Sequence, residues 1–239
     1  APILSQAGLA IITPSATNPD ITDPKFAGQY KPAGKTIFFR TVTTDAFQGP
    51  NMANYMFDTL KAKSVFILDD SGAYGVGLAD AFEGQAYEIV PGMIKAGGDG
   101  MYGPEMLTAV GFPAAEGWYA TIASPHVLDD PKMAAWIARY VKRFKAQPDD
   151  YTITTYDSAI VILDAVKRVA ATNKPMTREA IRDAIASAKV DTLQGEVAFD
   201  QHGDLRNRVI SVFQIKKTDA YPVEDMIHQY KYAGVAPAS

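Results

Sequence analysis

Ser64-Val65-Phe66-Ile67-Leu68-Asp69-Asp70-Ser71-Gly72-Ala73-Tyr74-Gly75-Val76-Gly77-Leu78 reads as a strand, a loop and the first turn of a helix. Residues 64–68 form a short apolar run closed by acids, the pattern of a buried strand. Glycines at 72, 75 and 77 then break the chain before helical spacing resumes at Leu78. Strand, loop and helix in succession make one unit of an α/β fold. Its loop falls at the carboxyl end of a strand, where open α/β sheets bind ligands.

The same logic extends toward the start of the chain. Residues 8–13 are an apolar run ending at Pro14, and residues 36–42 are β-branched and aromatic, so each reads as a strand. Between them Pro19, Pro24, Gly28, Pro32 and Gly34 make a loop. The loop opens with Pro14-Ser15-Ala16-Thr17-Asn18-Pro19. Hydroxyls of Ser15 and Thr17, with free backbone N–H groups, suit a small carboxylate. They are poorly suited, alone, to breaking a bond. Asp45 and Gln48 have the spacing of a capping box, followed by Met52, Tyr55, Met56 and Leu60 at helical intervals.

Toward the end, residues 93–98 read as a strand running to Asp99, and 118–123 as another. Met133, Trp136, Ile137, Tyr140, Val141 and Phe144 mark an amphipathic helix. Its basic face, Lys132, Arg139, Lys142, Arg143 and Lys145, is expected in solvent. A long helix over Thr155–Ala171 is expected to turn Ile160, Leu163 and Val166 inward. Thr177 should cap a further helix carrying Ile181 and Ile185. Residues 195–199 and 208–216 are expected to pair as a hairpin around Asp200–Asp204.

Composition limits the function classes. The 239 residues carry a formal charge of −4, 47% hydrophobic residues and no cysteine. That is a globular balance without the basic footprint of a nucleic-acid binder. Disulfides, thiolate chemistry and cysteine zinc sites are excluded. No apolar run reaches the ~20 residues that span a bilayer. No basic-then-apolar leader stands at the start of these residues, so any secretory signal is expected to be gone already.

No catalytic constellation stands out. Gly75-Val76-Gly77 is half of a dinucleotide fingerprint, but Asp80 occupies the third glycine position, and no Walker motif occurs. His126, His202 and His228 share no metal-ligand spacing and are expected on surface loops or strands, so neither metal nor cofactor is expected. No G-x-S-x-G elbow surrounds a serine. Asp69-Asp70 after a strand is the best remaining catalytic pair, and Asp is also an ordinary loop residue there. Asp45 and Asp99 each follow a strand and are placed to meet an ammonium group. For Asp45 a plain helix N-cap is the competing reading.

Ile12-Thr13-Pro14-Ser15-Ala16-Thr17-Asn18-Pro19, Phe39-Arg40-Thr41, Asp45, Gln48-Gly49-Pro50, Tyr74-Gly75-Val76-Gly77 and Ala114-Ala115-Glu116-Gly117 occur in this order. Thr154-Thr155-Tyr156-Asp157 and Gly195-Glu196-Val197-Ala198-Phe199-Asp200 follow. Together they resemble the leucine/isoleucine/valine-binding family of periplasmic substrate-binding proteins. The resemblance implies two Rossmann-like α/β lobes joined by three crossovers and closing on a ligand. It implies a periplasmic, monomeric, non-enzymatic protein without cofactor or metal that delivers a small carboxylate to an ABC-transporter permease.

It also implies ligand contacts from Ser15, Ala16 and Thr17, from Asp45, from Tyr74 and from Asp99. A shorter acid at 99 than the family's usual Glu, beside Met101 and Tyr102, admits an aromatic or other organic acid or amide in place of an amino acid. The first lobe is expected over 1–44 and 125–239, the second over 45–124, with hinges near 43, 124 and 150. Relative to the family, the opening βα units and a strand–helix–strand section near Phe82–Tyr87 are expected to be missing. An enzyme or sensor on the same scaffold, or a fragment without function, are the readings from other classes.

Overall fold

A computed structural model describes residues 1–63, 74–75, 94–110, 115–173, 175–216, 218, 220–223 and 225–238. The expected 64–68 strand, Asp69-Asp70, the helix from Leu78 and the 82–87 section lie outside these residues. From that part of the chain Tyr74 and Gly75 are described.

The strands among the described residues are β1 Ile11–Thr13, β2 Phe38–Arg40, β3 Ala96–Gly97, β4 Tyr119–Ile122, β5 Lys189–Thr192, β6 Gly195–Ala198, β7 Ser211–Ile215 and β8 Tyr230–Val235. The chain divides into two compact units, Ala1–Thr44 with Tyr151–Arg208, and Asp45–Asp150 with Val209–Ser239. It therefore passes from one to the other after Thr44, after Asp150 and after Arg208. The expected hinges were near 43, 124 and 150. The third passage lies at 208, not 124, and residues 125–150 and 209–239 belong to the second unit.

The pairing of β7 explains that difference. It joins no hairpin with β6. Instead it pairs antiparallel with β4 on one side and β8 on the other, in the sheet β3-β4-β7-β8. Four of its five residues are buried, as a central strand requires. β6 takes β5 as its antiparallel partner, Val190 opposite Val197. The Asp200–Asp204 turn carries an isolated bridge, Phe199 to Leu205, and the Asp200 N–H donates to the Asp204 carbonyl at 2.9 Å.

In the first unit β1 and β2 run parallel, Ile11 beside Phe38 and Thr13 beside Arg40. Parallel strands need a long connection. Residues 14–37 supply it, with turns capped by Asn18 and Asp23 through their own side-chain oxygens. Thr177 caps the Arg178–Ala186 helix, its Oγ1 accepting from the Ala180 N–H at 3.2 Å. Phe39, Val161, Ala165, Val169, Ile185, Val197, Phe199 and Leu205 form the core of this unit. Phe39 and Phe199 meet with ring centroids 5.2 Å apart. Full burial of a side chain such as Phe39 stabilises by about 1.5–3 kcal/mol.

The long helix runs Asp150–Ala170 and shows a different inner face from the expected one. Ile153, Val161, Ala165 and Val169 are buried, whereas Leu163 is 53% exposed and Ile160 is half-buried. The inner face also holds Thr154, Asp157 and Ser158. Their polar groups are bonded, so burial is affordable there. Asp157 accepts from the Leu193 and Gln194 N–H groups, each at 3.0 Å, and from the Thr192 hydroxyl at 2.9 Å. A purely apolar pattern selects Leu163 and misses this polar stripe.

In the second unit the Ala134–Phe144 helix forms as expected, and Trp136, Tyr140 and Phe144 stack in turn along it. Its basic residues are exposed. Behind β7, Tyr102, Phe213, Tyr230 and Tyr232 pack ring to ring. No helix among the described residues is long and apolar enough to cross a membrane.

Candidate functional site

The candidate residues divide between the units. Ser15, Ala16 and Thr17 are in the first; Asp45, Tyr74 and Asp99 are in the second.

In the first unit, β1 ends at Thr13 and the chain turns at once. The Thr13 hydroxyl accepts from the Ala16 N–H at 3.1 Å and, more weakly, from the Ser15 N–H at 3.4 Å. Two of the backbone donors expected to be free are thus engaged within the loop. The Thr154 hydroxyl donates to the Pro14 carbonyl at 2.9 Å and ties the loop to the long helix. Ser15 is exposed, Ala16 half-buried and Thr17 buried. What remains for a ligand is the Ser15 hydroxyl together with the N–H and hydroxyl of Thr17.

Beneath this loop lies Arg40, fully buried at the end of β2. Its Nη1 donates to the carbonyls of Ala16 at 2.8 Å and Asn18 at 3.1 Å, and its Nη2 to the Thr22 hydroxyl at 2.9 Å. Asp204 Oδ1 stands 2.8 Å from Nε, and Asp204 Oδ2 accepts from the Thr22 hydroxyl at 3.0 Å. The Nε approach is an ion pair in which the N–H is not aimed at the oxygen. It neutralises charge rather than adding a directed bond. Sequence reading noted Phe39-Arg40-Thr41 without giving Arg40 a role. The available signal was an arginine inside an apolar strand.

In the second unit, Asp45 begins the Asp45–Asn54 helix and is buried. Gln48, one turn on, is fully buried. Its amide is assigned from its neighbours: the nitrogen donates to Asp45 Oδ1 at 3.2 Å, and the oxygen accepts from the Asp99 N–H at 2.9 Å and the Thr121 hydroxyl at 2.7 Å. The capping-box spacing therefore serves another purpose. Gln48 reaches across to β4 and Asp99 and bridges the two acids.

Asp99 is buried after β3, and the Tyr74 hydroxyl donates to its Oδ1. The Gly100 N–H donates to the same hydroxyl at 3.3 Å. Burial, then the Asp99 carboxylate, push the Tyr74 phenol far above its usual range, so it stays a neutral donor. Its side chain is 39% exposed. Asp45, Gln48, Tyr74 and Asp99 thus form one group, with two carboxylates and one phenol. Such a group suits a cation or a polar donor.

Tyr102 does not join it. It is buried against Phe213 and Tyr230, and its hydroxyl donates to Asp150 at 2.9 Å. It is a core residue. His126, expected on the surface, is a correction. Its side chain is only 5% exposed, its Nδ1 is 2.9 Å from Asp150 Oδ1, and Phe213 and Tyr232 enclose the ring. No spacing rule links 126 to 150, so the sequence carried no signal of the pair.

A family model for periplasmic binding proteins matches residues 85–220. The leucine-, isoleucine-, valine-, threonine- and alanine-binding protein of Pseudomonas aeruginosa is 26% identical over 266 aligned positions, covering 90% of this chain and 67% of that protein. This chain thus spans about two thirds of that relative's length. The alignment is longer than the 239 residues of the chain, so the relative holds residues inside the matched region that this chain lacks. A leucine-binding protein from Thermotoga maritima superposes with a TM-score of 0.75 at 21% identity, over 98% of this chain and 75% of that one. A solute-binding protein from R. palustris, solved with benzoate, gives 0.69 at 16%, over 99% and 74%.

Proposed function

Because the chain belongs to the periplasmic binding protein family, we propose that it is the extracytoplasmic solute-binding component of an ABC transporter, carrying a small carboxylate of the branched-chain amino-acid class to a membrane permease. The observation behind this reading is the complementary chemistry of the two groups. The first unit offers hydroxyl and N–H donors on the Ser15–Thr17 loop, which answer a carboxylate. The second offers Asp45 and Asp99, which answer an ammonium. An α-amino acid bears one of each. An aromatic acid bears the first alone.

Binding, not catalysis, is the role these residues support. The buried acids are held by Gln48 and Tyr74, and no base is in place to activate the Ser15 or Thr17 hydroxyl among the described contacts. The test is calorimetric titration with leucine, isoleucine, valine, threonine, alanine and p-hydroxybenzoate. Saturable heat with an aliphatic amino acid, reduced more than about tenfold in Asp99→Asn, is expected. Binding of p-hydroxybenzoate alone moves the ligand class to aromatic acids. No heat with any of them overturns the reading.

A further inference from the structure

We propose that Arg40 is the positioning residue of the Ser15–Thr17 loop: by fixing the carbonyls on either side of Thr17, it turns the Thr17 N–H outward as a ligand donor. The inference rests on the proposed role of this loop as the carboxylate grip.

The argument begins with the peptide plane. In a trans peptide the C=O and the following N–H point in opposite directions. The Ala16 carbonyl is held by Arg40 Nη1 at 2.8 Å, so the Thr17 N–H, in the same plane, points away from the guanidinium. The Asn18 carbonyl is held by the same nitrogen at 3.1 Å, which fixes the Asn18–Pro19 peptide, one residue beyond Thr17. Thr17 thus lies in a two-residue span whose ends Arg40 holds. The Ser15 and Ala16 N–H groups turn back onto Thr13, leaving Thr17 as the backbone donor the loop presents.

A lysine cannot do this. One ammonium is a point donor, whereas the guanidinium fork reaches two carbonyls, a hydroxyl and a carboxylate at once. The buried charge also needs its counter-ion. Asp204 supplies it from the turn after Phe199, and Gly203 lets that turn close on β2. A Cβ at 203 stands 2.0 Å from the Phe38 carbonyl oxygen, and the Arg40 N–H donates to the Gly203 carbonyl at 3.1 Å. The described bonds of Arg40 go to the loop's carbonyls, to Thr22 and to Asp204. Arg40 acts through the loop.

The test compares the wild type with Arg40→Lys at a temperature where both are folded, with leucine, isoleucine and p-hydroxybenzoate as probes. Whichever probe the wild type binds should bind the variant about tenfold or more weakly. The Thr17 amide resonance and its hydrogen-exchange rate should change in the free protein. A lower Tm with unchanged affinity and an unchanged Thr17 amide overturns the proposal and leaves Arg40 a stabilising residue. If the wild type binds no probe, the functional reading fails by itself, and the Thr17 amide alone decides the positioning role. Should Arg40→Lys not fold, Thr22→Val removes the hydroxyl that accepts from Nη2. An affinity loss of about threefold or more is then expected, and no loss overturns the proposal.

Discussion

His126 Nδ1 lies 2.9 Å from Asp150 Oδ1, and the other oxygen of Asp150 accepts from the Tyr102 hydroxyl at 2.9 Å. Burial alone lowers the imidazole pKa. The hydrogen bond and charge of Asp150, then Asp129 at 3.3 Å from Nε2, outweigh it, and the net shift is upward. A folded pKa above the unfolded value of about 6.5 contributes stability that is full below that pH and is lost as pH rises through the folded value. The urea midpoint is therefore expected to fall from pH 6 toward pH 8 in the wild type. In His126→Gln that slope should flatten. A flat wild-type profile contradicts the pair's role.

Gly203→Ala is expected to be costly. The residue sits at φ +96°, where side chains are strained, and the new methyl meets the Phe38 carbonyl. Separation of the turn from β2 also loosens Asp204 from Arg40. A loss of about 2 kcal/mol or more in urea unfolding is expected, beyond that of an ordinary surface change. A loss below about 0.5 kcal/mol would show that the turn is not packed on β2.

Asp157→Asn tests the polar stripe of the long helix. Asp157 accepts from three donors at the β5–β6 turn, and an amide turns its NH2 toward at least one of them. About 1–3 kcal/mol of stability should be lost. Hydrogen exchange at the Leu193 and Gln194 amides should quicken. Unchanged exchange at both amides argues against the contact.

Gln48→Met keeps the volume and removes the bridge between Asp45, Asp99 and Thr121. The Asp99 N–H and the Thr121 hydroxyl then lose a buried partner. Stability should drop by about 1–3 kcal/mol, and leucine affinity by about tenfold. If affinity holds while stability falls, Gln48 supports the fold without shaping the site.

Much of the architecture was legible where local chemistry decides it. The β1 and β2 runs, the Thr177 cap and the Trp136–Phe144 stripe follow from apolar spacing and side-chain capping, which act over a few residues. The inner face of the Asp150–Ala170 helix was misread, because Asp157 and Ser158 are buried on bonds to distant segments. The partner of β7 was misread for the same kind of reason. Adjacency in sequence suggests a hairpin with β6, whereas an almost wholly buried strand needs neighbours on both sides.

The candidate residues show the same division. Residue type and order alone picked out Ser15, Thr17, Asp45, Tyr74 and Asp99 as candidates for the binding role proposed above, since hydroxyls and acids at strand ends have that chemistry wherever they occur. Which of their atoms remain free was decided only by the tertiary structure. Thr13 takes two loop N–H groups, Gln48 joins two acids, and Arg40 reaches from β2 to Ala16, Asn18, Thr22 and Asp204. The Thr13 bonds are local, but those of Arg40, and of Gln48 to Asp99 and Thr121, are long-range: Arg40 and Asp204 are 164 positions apart, and no local pattern encodes a donor's direction across that distance. Sequence fixes what each group is; the burial of Arg40 and Gln48 among partners from distant segments fixes where each donor points.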